Sequence, residues 1–442
     1  MNASPSNLHD RSELLPGFST SRDFAIDCDA ADILAPFRRQ FELPVSASSG
    51  QPLTYLCGHS LGLAPRAALD RVSEELADWA ALGVGGHHTA NRPWIEYAQN
   101  FTKGLQHLTG ARPDEVVAMN SLTVNLHLMM ASFYRPVGMR DKVLIEAGAF
   151  SSDRHAVVGQ LSWHNLDAEG ALVEIEPRAG EELLRIEDIE AKIQDLGHEL
   201  ALVLWPGVQY RTGQAFDCAR IARAAHAAGA VAGFDMAHAI GNLPLALHDW
   251  DVDFAVWCSY KYLNAGPGAI GGCFVHEKHF ASAPNRLSGW WGHEPKTRFQ
   301  MLPEFRPAAG AAGWAVSNPP IFSAAPLLAS LDMFRSAGIE DLRAKSVRLT
   351  AYAERLLRAR CGREIRVITP EAVDERGCQL SLRVNGGARR GRRIFDALAD
   401  RGVVCDWREP DIIRIAPVPL YNRFLDVFDL VEELVAALKA IS

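Results

Sequence analysis

Between residues 115 and 277, short continuous apolar runs alternate with stretches of helical length and period. EVVAMN, KVLIEA, LALVLWPG, VAGFD, DFAVWCS and GGCFVHE predict strands, and SLTVNLHLMMASF, SSDRHAVVGQLSW and DCARIARAAHAAGA predict helices. Strands apolar on both faces and separated by helices belong to a mostly parallel sheet covered on both sides, a three-layer α/β architecture. Ligands of such sheets sit beyond the carboxyl ends of the strands. Upstream, PRAALDRVSEELADWAALG sets Leu69, Val72, Leu76 and Trp79 at helical spacing, with Pro65 suited to a first turn. The first two dozen residues are polar and rich in turn formers, the pattern of a loose lead-in. Gly289 to Pro320 has no sustained period and is dense in Gly, Pro and Trp, which predicts a long functional loop region. Beyond it, the helical LRAKSVRLTAYAERLLRAR, the apolar runs IRVITP and CQLSLRV, the helical RRIFDALADRG, the runs VVCDW and IIRIAPV, and the helical DVFDLVEELVAALKAI predict a smaller C-terminal α+β domain.

Composition narrows the function classes. The chain has 442 residues, 48% hydrophobic and 22% charged, as ordinary soluble globular proteins do. Its net charge of −8 offers no nucleic-acid footprint, and no apolar stretch reaches membrane-spanning length. The eight cysteines are scattered without a C-x-x-C pair, so no metal site or redox motif is expected. Free thiols and an N-terminus without the pattern of a signal peptide lead to the expectation of a cytoplasmic protein acting on a small molecule.

Candidate chemistry gathers on the predicted sheet rim. GPGAIG (Gly266 to Gly271) fits a dinucleotide fingerprint on paper, but a strand rather than a helix follows it, so a hairpin turn is expected. His87 and His88 are adjacent and lack a third ligand, which leaves His87 at most a substrate contact. Asp235 ends VAGFD, and DFAVWCS carries Lys261 to the same rim. A carboxylate and a lysine so placed suit pyridoxal 5'-phosphate (PLP), which takes a lysine in covalent linkage and a carboxylate at its ring nitrogen. Ser121, Leu122 and Thr123 open a helix after a strand, where an anion is favoured; side-chain capping is the plain alternative. Phe150, Ser151, Ser152 and Asp153 open the next helix, with Phe150 able to stack on a flat ring and Asp153 equally readable as a cap.

With GVQYRTGQ, GFDMAHAIGN, LHDWDVDFAVWCSYKYLNAGPGAIGG, GWWGHE, SNPPI and RIAPVPLYN in family order, the sequence resembles the kynureninases, PLP-dependent enzymes of the aspartate-aminotransferase fold (fold type I). The resemblance implies hydrolysis of L-kynurenine or 3-hydroxy-L-kynurenine to anthranilate or 3-hydroxyanthranilate and L-alanine, in tryptophan catabolism. It implies Lys261 as the attachment point, Asp235 at the ring nitrogen, Phe150 stacked on the ring, Asp153 and His238 in support, and Leu122 and Thr123 at the phosphate. Ser151 and Ser152 belong to the same cofactor-binding segment. Tyr260 would contact the phosphate and donate a proton, and Arg414 would take the substrate carboxylate. His87 and Asn318 would lie near the aryl end, and Trp290 and Asn318 would reach across a homodimer interface. Pro206, where some relatives carry Ser or Thr, can only line the pocket. The implied domains are an N-terminal segment, 1–64, packing on the small domain; a large PLP-binding domain, 65–325; and a small domain, 326–442. The alternatives are another fold type I enzyme, such as a cysteine desulfurase or aminotransferase, and a non-catalytic relative.

Overall fold

The computed structural model describes residues 14–47, 49–281 and 285–441, which divide into two compact units. One unit holds the chain up to Arg66, Tyr210–Ala215 and the chain from Ser336; the other holds Ala67–Gln209 and Phe216–Arg335.

In the first unit the described part of the expected loose lead-in, from residue 14, is packed, and residues 1–13 lie outside the described residues. Leu15 is buried, and Phe18 and Phe24 sit against Tyr352 with ring centroids 6.1 and 5.9 Å away. A helix spans Arg22–Ala30, its first turn capped by Ser21, whose hydroxyl accepts from the Phe24 N–H at 3.2 Å. Asp29 in turn accepts from the N–H groups of Phe424 and Leu425 at 2.7 and 3.0 Å, capping the closing helix Phe424–Ala440. A short strand, β1 (Thr54–Tyr55), follows.

The second unit is built on a seven-stranded sheet. Its strands are β2 (Val116–Ala118), β3 (Lys142–Glu146), β4 (Leu172–Ile175), β5 (Leu200–Pro206), β6 (Val231–Asp235), β7 (Phe254–Trp257) and β8 (Gly272–Val275), in the order β2-β8-β7-β6-β5-β3-β4. β4, β3, β5, β6 and β7 are parallel, while β8 runs antiparallel to both β7 and β2. The expected mostly parallel α/β sheet is therefore present. Gly233 in β6 has a packing reason: a Cβ there would lie 2.1 Å from the Phe254 ring.

Three features go beyond the sequence pattern. LVEI forms the edge strand β4, unforeseen because an edge strand is only half-buried and does not read as an apolar run. The Arg66–Leu82 helix forms, but its apolar stripe faces outward, with Leu69 73% and Trp79 57% exposed. Its buried residue is Glu75, whose carboxylate accepts from Arg92, the Trp94 indole and the Tyr97 hydroxyl. The irregular segment contributes to the core: Trp314 is buried and stacks on Phe133, with ring centroids 6.1 Å apart.

Returning to the first unit, β9 (Ile365–Val367), β10 (Leu380–Val384), β12 (Asp406–Arg408) and β13 (Ile412–Ile415) form an antiparallel sheet ordered β12-β13-β10-β9. VVCDW splits between β12 and β11 (Val403–Val404), which pairs in parallel with β1. The Ile339–Cys361 and Phe424–Ala440 helices contribute Leu349, Tyr352, Val427 and Val431 to this unit's core.

At the amino edge of the larger sheet, Asp253 directly precedes β7 and is 3% exposed. Its carboxylate accepts from the Ala232 N–H at 2.7 Å and lies within 3 Å of His226 Nε2, His279 Nε2 and Lys278 Nζ. Burial alone would raise its pKa, but these partners outweigh that and hold it well below the usual carboxylate range. A depressed folded pKa adds stability above the unfolded value, and that stability is lost as pH falls towards the folded one. Asp253→Asn is therefore expected to cost about 3 kcal/mol of unfolding free energy at pH 7. Denaturant titrations should show the gap to the native protein narrowing below about pH 4; a gap independent of pH would refute this ion-pair account.

Candidate functional site

β3, β5, β6 and β7 end side by side on one rim, placing Glu146, Pro206, Asp235 and Trp257 there. Pro206 pairs with Asp235 and Asp235 with Val256 in the parallel ladders. After Trp257 the chain runs from Cys258 to Gly271 before entering β8, and Lys261 lies in the first part of this connection. Gly266 and Gly268 turn the chain with φ of +84° and +72°, so the glycine motif joins antiparallel strands and opens no helix as a dinucleotide fingerprint does. The connection is longer than the expected tight turn.

The candidate side chains meet at this rim. Lys261 Nζ lies 2.9 Å from His238 Nε2 and 5.7 Å from the centre of the Phe150 ring. Asp235 is buried, and its carboxylate accepts from the Ala237 N–H at 2.7 Å. Asp153 and Glu146 are buried beside it. Burial raises the pKa of Asp235, opposed by the Lys261 ammonium. Burial and then the charge of Asp235 drive Asp153 well above the usual carboxylate range. Burial pushes Glu146 up to about 8, with the Gln209 hydrogen bond opposing and Asp235 adding to the rise. Glu146 is thus largely protonated at pH 7, burial and the Asp235 charge bias Asp153 towards its neutral form, and Lys261 favours the ionised form at Asp235.

Two helix starts adjoin this cluster. The helix Leu122–Phe133 begins at Ser121 and the helix Ser151–Trp163 at Phe150, and neither starting residue caps its helix with a side-chain hydrogen bond. Thr123 Oγ1 and Ser152 Oγ instead lie 2.7 Å apart, linking the two starts. Leu122, Thr123, Ser151 and Ser152 therefore open helices that no N-cap side chain satisfies, an arrangement that favours an anion. Asp153 is not a cap either; its Oδ1 is buried without a hydrogen-bond partner among the described residues. A ring face at Phe150, a buried carboxylate at Asp235, an amine at Lys261 and an anion seat between two helices fit PLP.

Tyr260 is half-buried, and burial together with the adjacent Cys258 thiol raises its pKa, so its hydroxyl keeps its proton. Pro206 is half-buried at the end of β5 and adds no donor. Tyr262 packs edge-on against His238, with centroids 6.3 Å apart. His87, Trp290 and Asn318 are exposed. His87 meets the edge of Trp94, and the Trp290 indole donates to the Arg298 carbonyl at 3.0 Å. No hydrogen bond or ring contact among the described residues ties these three to Lys261.

Arg414 belongs to the other unit, at the centre of β13. It is 1% exposed, and its Nε and Nη1 donate to Asp406 Oδ1 at 2.9 Å and to the Tyr210 carbonyl at 2.6 Å. Glu146, Gln209 and Asp406 were not singled out in the sequence. Glu146 carries the same sequence signal as Asp235, a carboxylate closing an apolar run. Cys258 and Cys273 are buried, and burial raises the pKa of both, which denies the chain the exposed thiolate that a desulfurase needs near its lysine.

Comparison with known proteins adds a family context. Residues 342–434 match the family described as "Kynureninase C-terminal domain". A kynureninase from Xanthomonas campestris pv. campestris (strain B100) is 57% identical over 412 residues, covering 93% of this chain and 97% of that protein. One from Stenotrophomonas maltophilia (strain K279a) is 55% identical over 417 residues, covering 94% and 98%. Among solved structures, a C-DES mutant with glycine covalently linked to its PLP cofactor aligns with a TM-score of 0.73 at 18% identity, covering 90% of this chain and 98% of that one. The cysteine desulfurase CsdA from Escherichia coli aligns with a TM-score of 0.73 at 19% identity, covering 92% and 98%. These two show a shared fold.

The pKa of Glu146 generates a test. A carboxyl whose folded pKa lies above its unfolded value of about 4.3 destabilises the fold as pH rises between the two. Glu146→Gln removes that liability while keeping a neutral polar group of the same shape. Its stability relative to the native protein is expected to rise from pH 5 to pH 8, read from urea midpoints at both pH values. A relative stability that stays constant over this range would mean that Glu146 is ionised in the folded protein.

Proposed function

The chain belongs to the kynureninase family, and on that premise we propose that it hydrolyses L-kynurenine, or its 3-hydroxy form, to anthranilate or 3-hydroxyanthranilate and L-alanine, with PLP as cofactor. The observation that carries this reading is the rim cluster in which Lys261 adjoins His238, Phe150 and Asp235. When bound, PLP supplies an electron sink for the charge left at Cα and, later, for the electrons of the Cβ–Cγ bond.

Within this reading each residue has a definite task. Lys261 anchors the cofactor and, once displaced, serves as the base that moves the Cα proton. Asp235 pairs with the ring nitrogen as a carboxylate, an ionisation supported by the neighbouring Lys261 charge. Phe150 stacks on the ring, and Leu122, Thr123, Ser151 and Ser152 seat the phosphate. His238 holds Lys261 in place, and Asp153 lends a neutral hydrogen-bonding group. Pro206 lines the pocket. Tyr260, kept protonated by burial, donates the proton that reaches Cβ as alanine leaves. Arg414 takes the substrate carboxylate, and His87 and Asn318 serve the aryl end.

The reading includes a homodimer in which Trp290 and Asn318 act across the interface. Their exposure and the lack of any tie to Lys261 among the described residues support it, as do the exposed apolar side chains Leu287, Phe299 and Met301 on the same irregular segment. A cytoplasmic location is part of the same reading, supported by eight free cysteines.

The test is an assay of anthranilate fluorescence with L-kynurenine. Lys261→Ala is expected to lower turnover by roughly 10³-fold or more. Tyr260→Phe is expected to lower kcat by about 10²-fold with KM little changed. A protein that releases sulfide from cysteine but leaves kynurenine intact would overturn the proposal.

A further inference from the structure

Arg414 is a guanidinium buried in a sheet, and a buried cation persists only if it is paired and hydrogen-bonded. The pairing is written into the strand register. Asp406 on β12 stands directly opposite Arg414 on β13 in the antiparallel ladder. One carboxylate oxygen, Asp406 Oδ1, lies 2.9 Å from Arg414 Nε and 2.8 Å from Nη2, so it grips one edge of the guanidinium. On the other side, Nη1 donates to the Tyr210 carbonyl. Two fixed acceptors on different sides of a planar group set its orientation as well as its position.

The surroundings of Asp406 sharpen its role. Arg408 Nε lies 3.0 Å from the same carboxylate oxygen, so two guanidinium groups share one negative charge. The Cys57 thiol and the His59 imidazole close in beside them, with donor atoms of Cys57, His59 and Asp406 within 4.8 Å of one another. Burial pushes the Cys57 thiol up to about 12, so it stays neutral and brings no second anion. With two cations already on Asp406, this trio is poorly suited to a metal ion. Arg408, Arg414 and Asp406 together carry a net positive charge, which suits a receptor for a further anion.

We propose that Asp406 is the positioning residue of the substrate-carboxylate arginine: it clamps one edge of the Arg414 guanidinium and so sets the plane in which that group meets the α-carboxylate. The inference rests on the reading of Arg414 given above. Asp406 touches neither substrate nor cofactor in this account and acts through Arg414 alone. The sensitivity of bound geometry to small displacements gives the expected scale, on the order of 10²-fold.

The experiment compares native holoenzyme with Asp406→Ala, Asp406→Asn and Arg414→Ala, reading kcat and KM for L-kynurenine separately. It also reads, by competition, the ratio of binding constants for a substrate analogue with and without its α-carboxylate. Asp406→Ala is expected to raise KM by about 10²-fold, with kcat falling far less, and to collapse the binding ratio as Arg414→Ala does. Asp406→Asn, which keeps an acceptor oxygen in the same place, is expected to recover part of both. The absorbance of the bound cofactor should be unchanged in all three, since the clamp acts on the carboxylate end of the substrate. Should Asp406→Ala not fold, Asp406→Asn carries the test, with a ratio between those of the native protein and Arg414→Ala. A native ratio in the Asp406 variants beside a collapsed one in Arg414→Ala would overturn the proposal and leave the reading of Arg414 standing. A native ratio in Arg414→Ala would overturn both.

Discussion

The register of two parallel strands governs the chemistry of this protein. Because β6 and β7 pair with Asp235 opposite Val256, a carboxylate ends one strand where the next begins the approach to Lys261. A carboxylate buried as Asp235 is climbs in pKa, and the neighbouring Lys261 charge opposes that rise. Together they stabilise each other, and His238, held by the short step from Asp235, braces the amine at 2.9 Å. The helix starts at Leu122 and Ser151 complete the arrangement from neighbouring strand ends.

The rim holds more carboxyl groups than positive charge. Glu146, Asp153 and Asp235 are all buried, and Lys261 is the cation whose field acts on Asp153 and Asp235. Burial raises all three, and among them the Lys261 charge favours the ionised form at Asp235, the position proposed to face the ring nitrogen. The other unit solves a related problem with the opposite sign, burying Arg414 and meeting it with Asp406 on the facing strand. In both cases a strand ladder fixes the partner, so charge placement follows from backbone pairing.

What the sequence made legible was what depends on local pattern. The apolar runs of β3, β5, β6 and β7 were long enough to read as strands, and Asp235 and Lys261 stood at their ends. Features fixed by distant partners were not legible. LVEI becomes β4 only because β3 offers an edge, and Trp314 becomes core only because Phe133 lies under it. The stripe of Leu69, Leu76 and Trp79 has ordinary helical spacing, but spacing cannot tell a core-facing stripe from an outward one. Asp406 looked like any strand residue until the β12–β13 register set it opposite Arg414. Phe150 and Asp153 had equally good explanations as core and cap until the fold turned both towards Lys261 and Asp235.

The central claim is that the β6–β7 rim presents Lys261, alone among the lysines, to the cofactor. Borohydride reduction of the purified holoenzyme, followed by proteolysis and mass spectrometry of the peptides, tests it most directly. The account predicts a reduced pyridoxyl group on the peptide containing Lys261 and on no other. A label on a different lysine, or a cofactor that washes away after reduction, would contradict it.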